Sequence, residues 1–143
     1  MTFWKKKAVL PGSLRARIRV LDRVFSEYVR LRLTDKNGFV ECVTCGRLLH
    51  WQACDAGHYA SRRFLGTRWD TRNVWPQCQK CNRFAEGEKG LFARAIDRRL
   101  GPGTAELLDH IARARPRTRF SRADVDLMIM EFRALLKAER GKR

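Results

Sequence analysis

Two cysteine pairs, Cys42-x2-Cys45 and Cys78-x2-Cys81, are spaced as the ligands of a closed tetrahedral zinc site. Four thiolates leave no open coordination position, so the spacing predicts a structural metal and gives the cysteines no catalytic work. Between the pairs stand Asp55, Gly57 and His58, and Asn82 follows the last cysteine directly. Histidine exchanges a proton near neutral pH, which makes His58 the candidate for general acid–base chemistry. Cys54 has no CxxC partner and is read as a free buried thiol.

The charge says what such chemistry would act on. Lys and Arg total 31 against 15 Asp and Glu, a formal net charge of +16, and 23 of the cations are arginine, whose planar fork suits phosphate oxygens. The excess is +7 over residues 1–36, +5 over 37–100 and +4 over 101–143. A surplus spread this evenly belongs to a folded body that is itself the binding surface, and the partner it favours is nucleic acid. Arg62, Arg63, Arg68, Arg72 and Arg83 cluster in sequence around His58 and Asn82 and are the candidate DNA-backbone contacts; the alternative for each is plain surface solubility. No apolar run reaches the roughly 20 residues of a membrane span, and no apolar signal core follows Lys5-Lys6-Lys7, so a cytoplasmic protein with no membrane partner is expected.

The elements that must hold these groups follow from periodicity. Leu14, Ile18, Leu21, Phe25 and Tyr28 recur at helical spacing and predict a basic amphipathic helix over 13–33. Its other faces carry Arg15, Arg17, Arg19, Arg23, Arg30 and Arg32, either a solvated surface or a phosphate-binding one. Phe39-Val40-Glu41 alternates into the Cys42–Gly46 knuckle as a short strand. Residues 48–60 read as a two-stranded segment, Trp69 to Pro76 as an irregular connection, and a short helix is expected from about Gln79. Leu91 to Leu100 predicts a helix stopped by Gly101-Pro102-Gly103, and Thr104 a cap for one running to about Ala114. Ser121 and Asp124 form a capping-box pattern ahead of the stripe Val125, Met128, Ile129, Phe132, Leu135 and Leu136, which runs to about Arg140. The expected fold class is α+β and mainly helical. One domain spans 1–143, with a zinc-stapled core over 39–87 flanked by the first helix and by C-terminal helices over 88–140.

A strand–turn–strand followed by a helix and tied by zinc at both ends resembles the ββα-metal arrangement of HNH nucleases. His58 matches the first histidine of that pattern, Asn73 its central asparagine, and Asn82 its final position. The resemblance implies phosphodiester hydrolysis, with His58 as general base and Mg²⁺ or Mn²⁺ held near Asn82 as the electrophile. Asn73 would tie down a loop and orient His58. Many such enzymes carry a cation-binding aspartate directly before the histidine, where this chain has Gly57. Asp55 shares a strand face with Gly57, whose missing side chain would leave it room, so Asp55 is the expected replacement ligand, with Glu86 the weaker candidate. A surface or turn-capping role for Asp55 is the alternative. His110 is read as an ordinary core or surface histidine, and His50, beside Trp51, is given no site role although DNA contact is its alternative.

The run Cys42-x2-Cys45-Gly46, Trp51, Asp55-Ala56-Gly57-His58-Tyr59, Arg68-Trp69-Asp70-x2-Asn73 and Gln77-Cys78-x2-Cys81-Asn82 resembles the NinG/Rap recombination endonucleases of lambdoid phages. It is also similar to the endonuclease VII type of junction resolvase. Those likenesses imply a structure-selective, metal-dependent endonuclease acting on branched DNA such as Holliday junctions and D-loops, in the cytoplasm of a bacterial host. They also imply a homodimer, because a junction is cut on two strands related by a twofold axis. Two other functions stay open: an HNH enzyme nicking duplex DNA, and a non-catalytic zinc protein that binds nucleic acid. A binder loses nothing when His58 becomes Ala, and a nicking enzyme needs no branch.

Overall fold

Ser13 starts the first helix, its Oγ accepting the Ala16 amide at 3.2 Å, and α1 then runs Leu14–Leu31. The computed structural model describes residues 12–84, 88–114 and 118–143. The other elements are β1 (Phe39–Glu41), β2 (Leu48–His50), a 3₁₀ turn (Trp51–Ala53), β3 (Cys54–His58), α2 (Leu65–Arg68) and β4 (Val74–Cys78). A π-helical turn (Lys80–Phe84), α3 (Lys89–Leu100), α4 (Thr104–Ala114) and α5 (Arg122–Gly141) follow. The mixed, mainly helical class expected from the sequence is the one observed.

The first and last helices pack on each other. α1 buries Leu21, Phe25 and Val29 at four-residue steps against Val125 and Ile129 of α5, and Phe25 meets Phe132 edge-on with ring centroids 4.8 Å apart. Each of these fully buried aliphatic or aromatic side chains contributes about 1.5–3 kcal/mol. The expected capping box opens α5: Ser121 Oγ accepts the Asp124 amide, and the Asp124 carboxylate accepts the Ser121 amide. Arg17, assigned by periodicity to a charged face, is taken into this contact, where Asp126 holds its guanidinium at 2.7 Å. Arg140 and Glu27 close the far end of the pair.

Two antiparallel two-stranded sheets lie beside these helices. β1 pairs with β2, Val40 opposite Leu49, around the first cysteine knuckle. β3 pairs with β4, from Cys54 opposite Cys78 to His58 opposite Val74. Residues 48–60 therefore do not pair with themselves, because the 3₁₀ turn sends β2 and β3 to different partners. The stretch expected as an irregular connection supplies β4. All five β4 residues are buried, Val74 against the α1–α5 core and Trp75 against a second core of Phe92, Ala95, Ile96, Ala105 and Leu108. A strand covered on both faces shows no polar alternation to detect.

α3 and α4 form the hairpin around that second core, turning through Gly101 and Gly103, both at positive φ. Thr104, expected to cap α4, instead donates its hydroxyl to the Gly101 carbonyl, and Asp97 reaches across from α3 to accept the Ala105 amide at 2.9 Å. Among the described residues no helix is long and apolar enough to cross a membrane.

Candidate metal centre and adjoining cleft

The cysteine knuckle is shaped by backbone turns. Gly46, at φ 73°, donates its amide to the Cys42 carbonyl, and the Cys42 amide returns to Arg47 at 2.8 Å. The second pair leaves β4 through Cys78 and continues into the π-helical turn with Cys81. The ligand sulfurs of Cys42, Cys45, Cys78 and Cys81 all lie within 4.8 Å of one another, and Cys45 Sγ is 3.9 Å from Cys78 Sγ. A Zn–S bond of about 2.3 Å sets tetrahedral sulfurs roughly 3.8 Å apart, so the four thiolates fit zinc. Burial pushes the Cys42 thiol up, but hydrogen bonds from the Cys45, Cys78 and Thr44 backbone overcome it and bring the value to about 7, whereas burial raises the Cys45 and Cys81 thiols, so a bound cation would be needed to hold all four as thiolates. The metal these residues would hold joins the β1–β2 knuckle to the end of β4. Cys54 stands apart: it donates to the Trp51 carbonyl at 3.1 Å, and burial raises its thiol to about 11.

His58 ends β3, on the strand face shared with Ala56. That face looks into a cleft of about 330 Å³ between α1 and the π-helical turn, lined also by Asp22, Ser26, Arg62 and Asn82. His58 Nε2 donates to the Arg68 carbonyl at 2.9 Å, which leaves the lone pair on Nδ1. Burial, followed by the charges of Arg62 and Arg68, lowers the His58 pKa below its ordinary value despite that hydrogen bond and nearby Asp22. The imidazole is thus neutral at neutral pH, the form a general base requires.

Two residues set the position of the Arg68 carbonyl. Asn73 is fully buried; its Oδ1 accepts the Ala60 amide at 2.7 Å, and its Nδ2 donates to the Ala60 and Thr67 carbonyls, both at 3.0 Å. It joins the loop leaving His58 to the residue preceding Arg68. Asp22 of α1 then takes the Arg68 guanidinium in two bonds, at 3.0 and 2.6 Å, together with the Trp69 indole N–H and Arg62. Sequence reasoning missed Asp22. Its signal was a carboxylate set next to Leu21, at the edge of an apolar stripe on an arginine-rich helix, where burial requires a cationic partner.

Asp55 lies on the opposite strand face from His58. Its carboxylate receives Arg83 through Nε and Nη2, both at 2.9 Å, and Asn82 Nδ2 at 2.9 Å. Burial alone would raise its pKa, but these Arg83 and Asn82 hydrogen bonds lower it. The room expected at Gly57 is not there, because a Cβ at that position would collide with Oε1 of the buried Gln77, whose Nε2 donates to Thr44. Both Asp55 oxygens are taken by Arg83 and Asn82, and both Asp22 oxygens by Arg62, Arg68 and Trp69. The described residues thus bring Asp55 and Asn82 together but do not fit a preformed Mg²⁺ or Mn²⁺ site. Glu86 lies outside the described residues.

The candidate DNA-contacting arginines divide in the same way. Arg62 and Arg68 bind Asp22, Arg72 binds Asp70 through two nitrogens, and Arg83 binds Asp55. Arg63 alone of the five has no carboxylate partner among the described residues, and its guanidinium stands 4.8 Å from the Phe64 ring centroid. Four of the five arginines thus have a carboxylate partner within the chain, and the exposed pairs of Arg62, Arg72 and Arg83 would have to exchange that partner for a phosphate on binding.

A family model described as "Bacteriophage Lambda NinG protein" matches residues 3–141. No curated protein and no solved structure gives a significant match. The family match takes in the first helix, the cysteine core, the His58 cleft and the C-terminal helices, and it suggests a phage recombination-related function. The chain belongs to the NinG family of phage proteins.

Proposed function

We propose that the protein is a structure-selective DNA endonuclease that hydrolyses phosphodiester bonds in branched recombination intermediates such as Holliday junctions and D-loops. The observation that carries this reading is the state of His58: Nε2 pinned to the Arg68 carbonyl, the ring kept neutral, and the side chain lining a cleft with Asn82 on a chain of net charge +16. His58 Nδ1 takes a proton from water, the water oxygen bonds to phosphorus, and the P–O bond to the leaving sugar oxygen breaks, that oxygen taking a proton from solvent. Asn73 acts as a positioning residue. Zinc on the four cysteines is structural. The carboxylates beside the cleft are already paired, Asp22 with Arg62 and Arg68, and Asp55 with Arg83 and Asn82. The protein acts as a twofold dimer, so that two strands are cut; α5 keeps Leu127 and Met130 exposed after spending Val125 and Ile129 within the chain.

A second reading, a zinc-stapled nucleic-acid binder without cleavage, draws on the Arg83–Asp55 pair, which occupies the carboxylate expected to hold a catalytic cation. One experiment separates the two. A labelled four-way junction and the matching linear duplex are incubated with wild type and His58→Ala in Mg²⁺, in Mn²⁺ and in EDTA. Cutting of the junction that disappears in His58→Ala supports the endonuclease, and the EDTA arm reads its cation requirement. Binding of both DNAs with cutting of neither supports the binder, and cutting of both alike moves the reading to a duplex-nicking enzyme.

A further inference from the structure

His58 lines a second cleft, of about 490 Å³, on the side away from α1. Its walls are the loop that follows β3 and the facing ends of α3 and α4. Arg63 lies over the Phe64 ring there. Lys89, at the start of α3, reaches Asp109 of α4 at 3.1 Å and sits 5.0 Å from the Tyr59 ring centroid, while Tyr59 Oη donates to the other Asp109 oxygen at 3.0 Å. Arg113, in the last turn of α4, is exposed and has no carboxylate partner among the described residues. The cleft thus gathers three cations against one carboxylate whose two oxygens are already engaged. In the first cleft, Asp22 already pairs with Arg62. A polyanion crossing His58 meets its favourable field on the second side.

We propose that this second cleft seats the nucleotide next to the phosphate presented to His58, with its backbone phosphate on Lys89 and Arg113 and its base stacked on the Arg63–Phe64 pair. Base stacking on an aromatic ring or a guanidinium plane needs an open base face, which duplex stacking covers and an unpaired nucleotide offers. The subsite therefore selects single-stranded or branch-point DNA, and it assigns α3 and α4, otherwise scaffold, a part in recognition. The inference rests on the DNA-processing reading above and supplies its selectivity.

The test is equilibrium binding of the zinc-loaded chain, residues 1–143, in buffer without added Mg²⁺ or Mn²⁺, read by fluorescence anisotropy. The probes are a labelled 12-nucleotide oligo(dT) and a labelled linear duplex, and zinc content and thermal melting are recorded for every variant. Phe64→Leu should weaken oligo(dT) binding about tenfold, within the range of roughly five- to 150-fold that one stacking contact carries, and Arg113→Ala, which removes one exposed charge contact to phosphate, about fivefold. Both should leave duplex binding within about twofold, and Phe64→Tyr should restore oligo(dT) affinity. Arg113 is exposed, so its variant stays informative if Phe64→Leu unfolds. Unchanged oligo(dT) affinity in Arg113→Ala, or equal losses on both DNAs, overturns the subsite while leaving junction cleavage by wild type to stand or fall separately. Wild type that binds neither DNA overturns both.

Discussion

Cys78 and His58 stand at opposite ends of the β3–β4 ribbon, and the two ends are held by different physics. At the cysteine end each pair of candidate ligands comes from a turn of four residues, and a single long-range event, the approach of the two knuckles, completes a site that a bound metal would close by coordination bonds. At the His58 end nothing is local. The ring depends on a carbonyl from α2, which depends on Asn73 of the loop before β4 and on Asp22 of α1, and Asn82 arrives from the π-helical turn. A covalent-strength clamp tolerates an exposed ligand such as Cys45, whereas a hydrogen-bonded network holds its geometry only when its members are buried and paired.

The sharpest way to break this comparison is to remove one sulfur. Cys78→Ser should abolish stoichiometric zinc and unfold the core, because structural zinc carries about 10–16 kcal/mol of apparent binding free energy against a typical domain stability of about 5–15 kcal/mol. Metal analysis and thermal melting check it, and an unchanged melting temperature in the metal-free variant would remove zinc from the account of the fold. His58→Ala should lower junction cleavage about 10²- to 10⁴-fold while zinc content and melting stay at the wild-type level. That outcome would show that the cleft end carries chemistry without carrying the fold.

Asn73→Ala should be the costliest change at the cleft end that spares chemistry groups, at about 3 kcal/mol, because it strands the Ala60 amide and carbonyl in a buried site, while the Thr67 carbonyl keeps the Asp70 amide. Denaturant unfolding measures the loss. The His58 titration followed by NMR tells whether the Arg68 carbonyl has shifted, which a purely structural role would not require.

A smaller effect comes from pH. The folded pKa of His58 lies below its ordinary 6.5, so the stabilisation from keeping the ring neutral is fully present above pH 6.5 and is lost as pH falls through the folded value. Cleavage should follow the same limb, since only the neutral ring accepts a proton. An imidazole titration at or above 6.5 would contradict the burial that sets this end apart. The least effect is expected from Arg72→Ala, whose exposed pair with Asp70 is worth under about 1 kcal/mol. Junction affinity should change by less than twofold if Arg72 serves only its pair with Asp70, and a larger drop would make it a backbone contact.

Much of this was legible along the chain wherever the cause was local. The capping box at Ser121, the α1 and α5 stripes and both cysteine knuckles rest on residues three or four apart, and all appear, with Leu14 and Leu135 at the stripe edges left exposed. Strand pairing was misjudged at residues 48–60 and 69–76, since the partner of β3 lies beyond a loop, and a strand buried on both faces leaves no alternation. The space assumed at Gly57 was filled by Gln77, a neighbour from across the ribbon that no spacing rule announces.

Residue types and short spacings alone determined that this chain could hold zinc on four thiolates, bury the stripes of its first and last helices and offer one histidine for proton transfer. The tertiary structure alone decided that Asp22 anchors the cleft, that Arg62, Arg68, Arg72 and Arg83 pair with carboxylates while Arg63 pairs with none among the described residues, and that His58 faces two clefts. Metal knuckles and helix caps close over a few bonds of chain, so composition and spacing specify them. The partner of a charge is whichever opposite charge the packed elements bring within about 4 Å, and that distance exists only once the chain has folded.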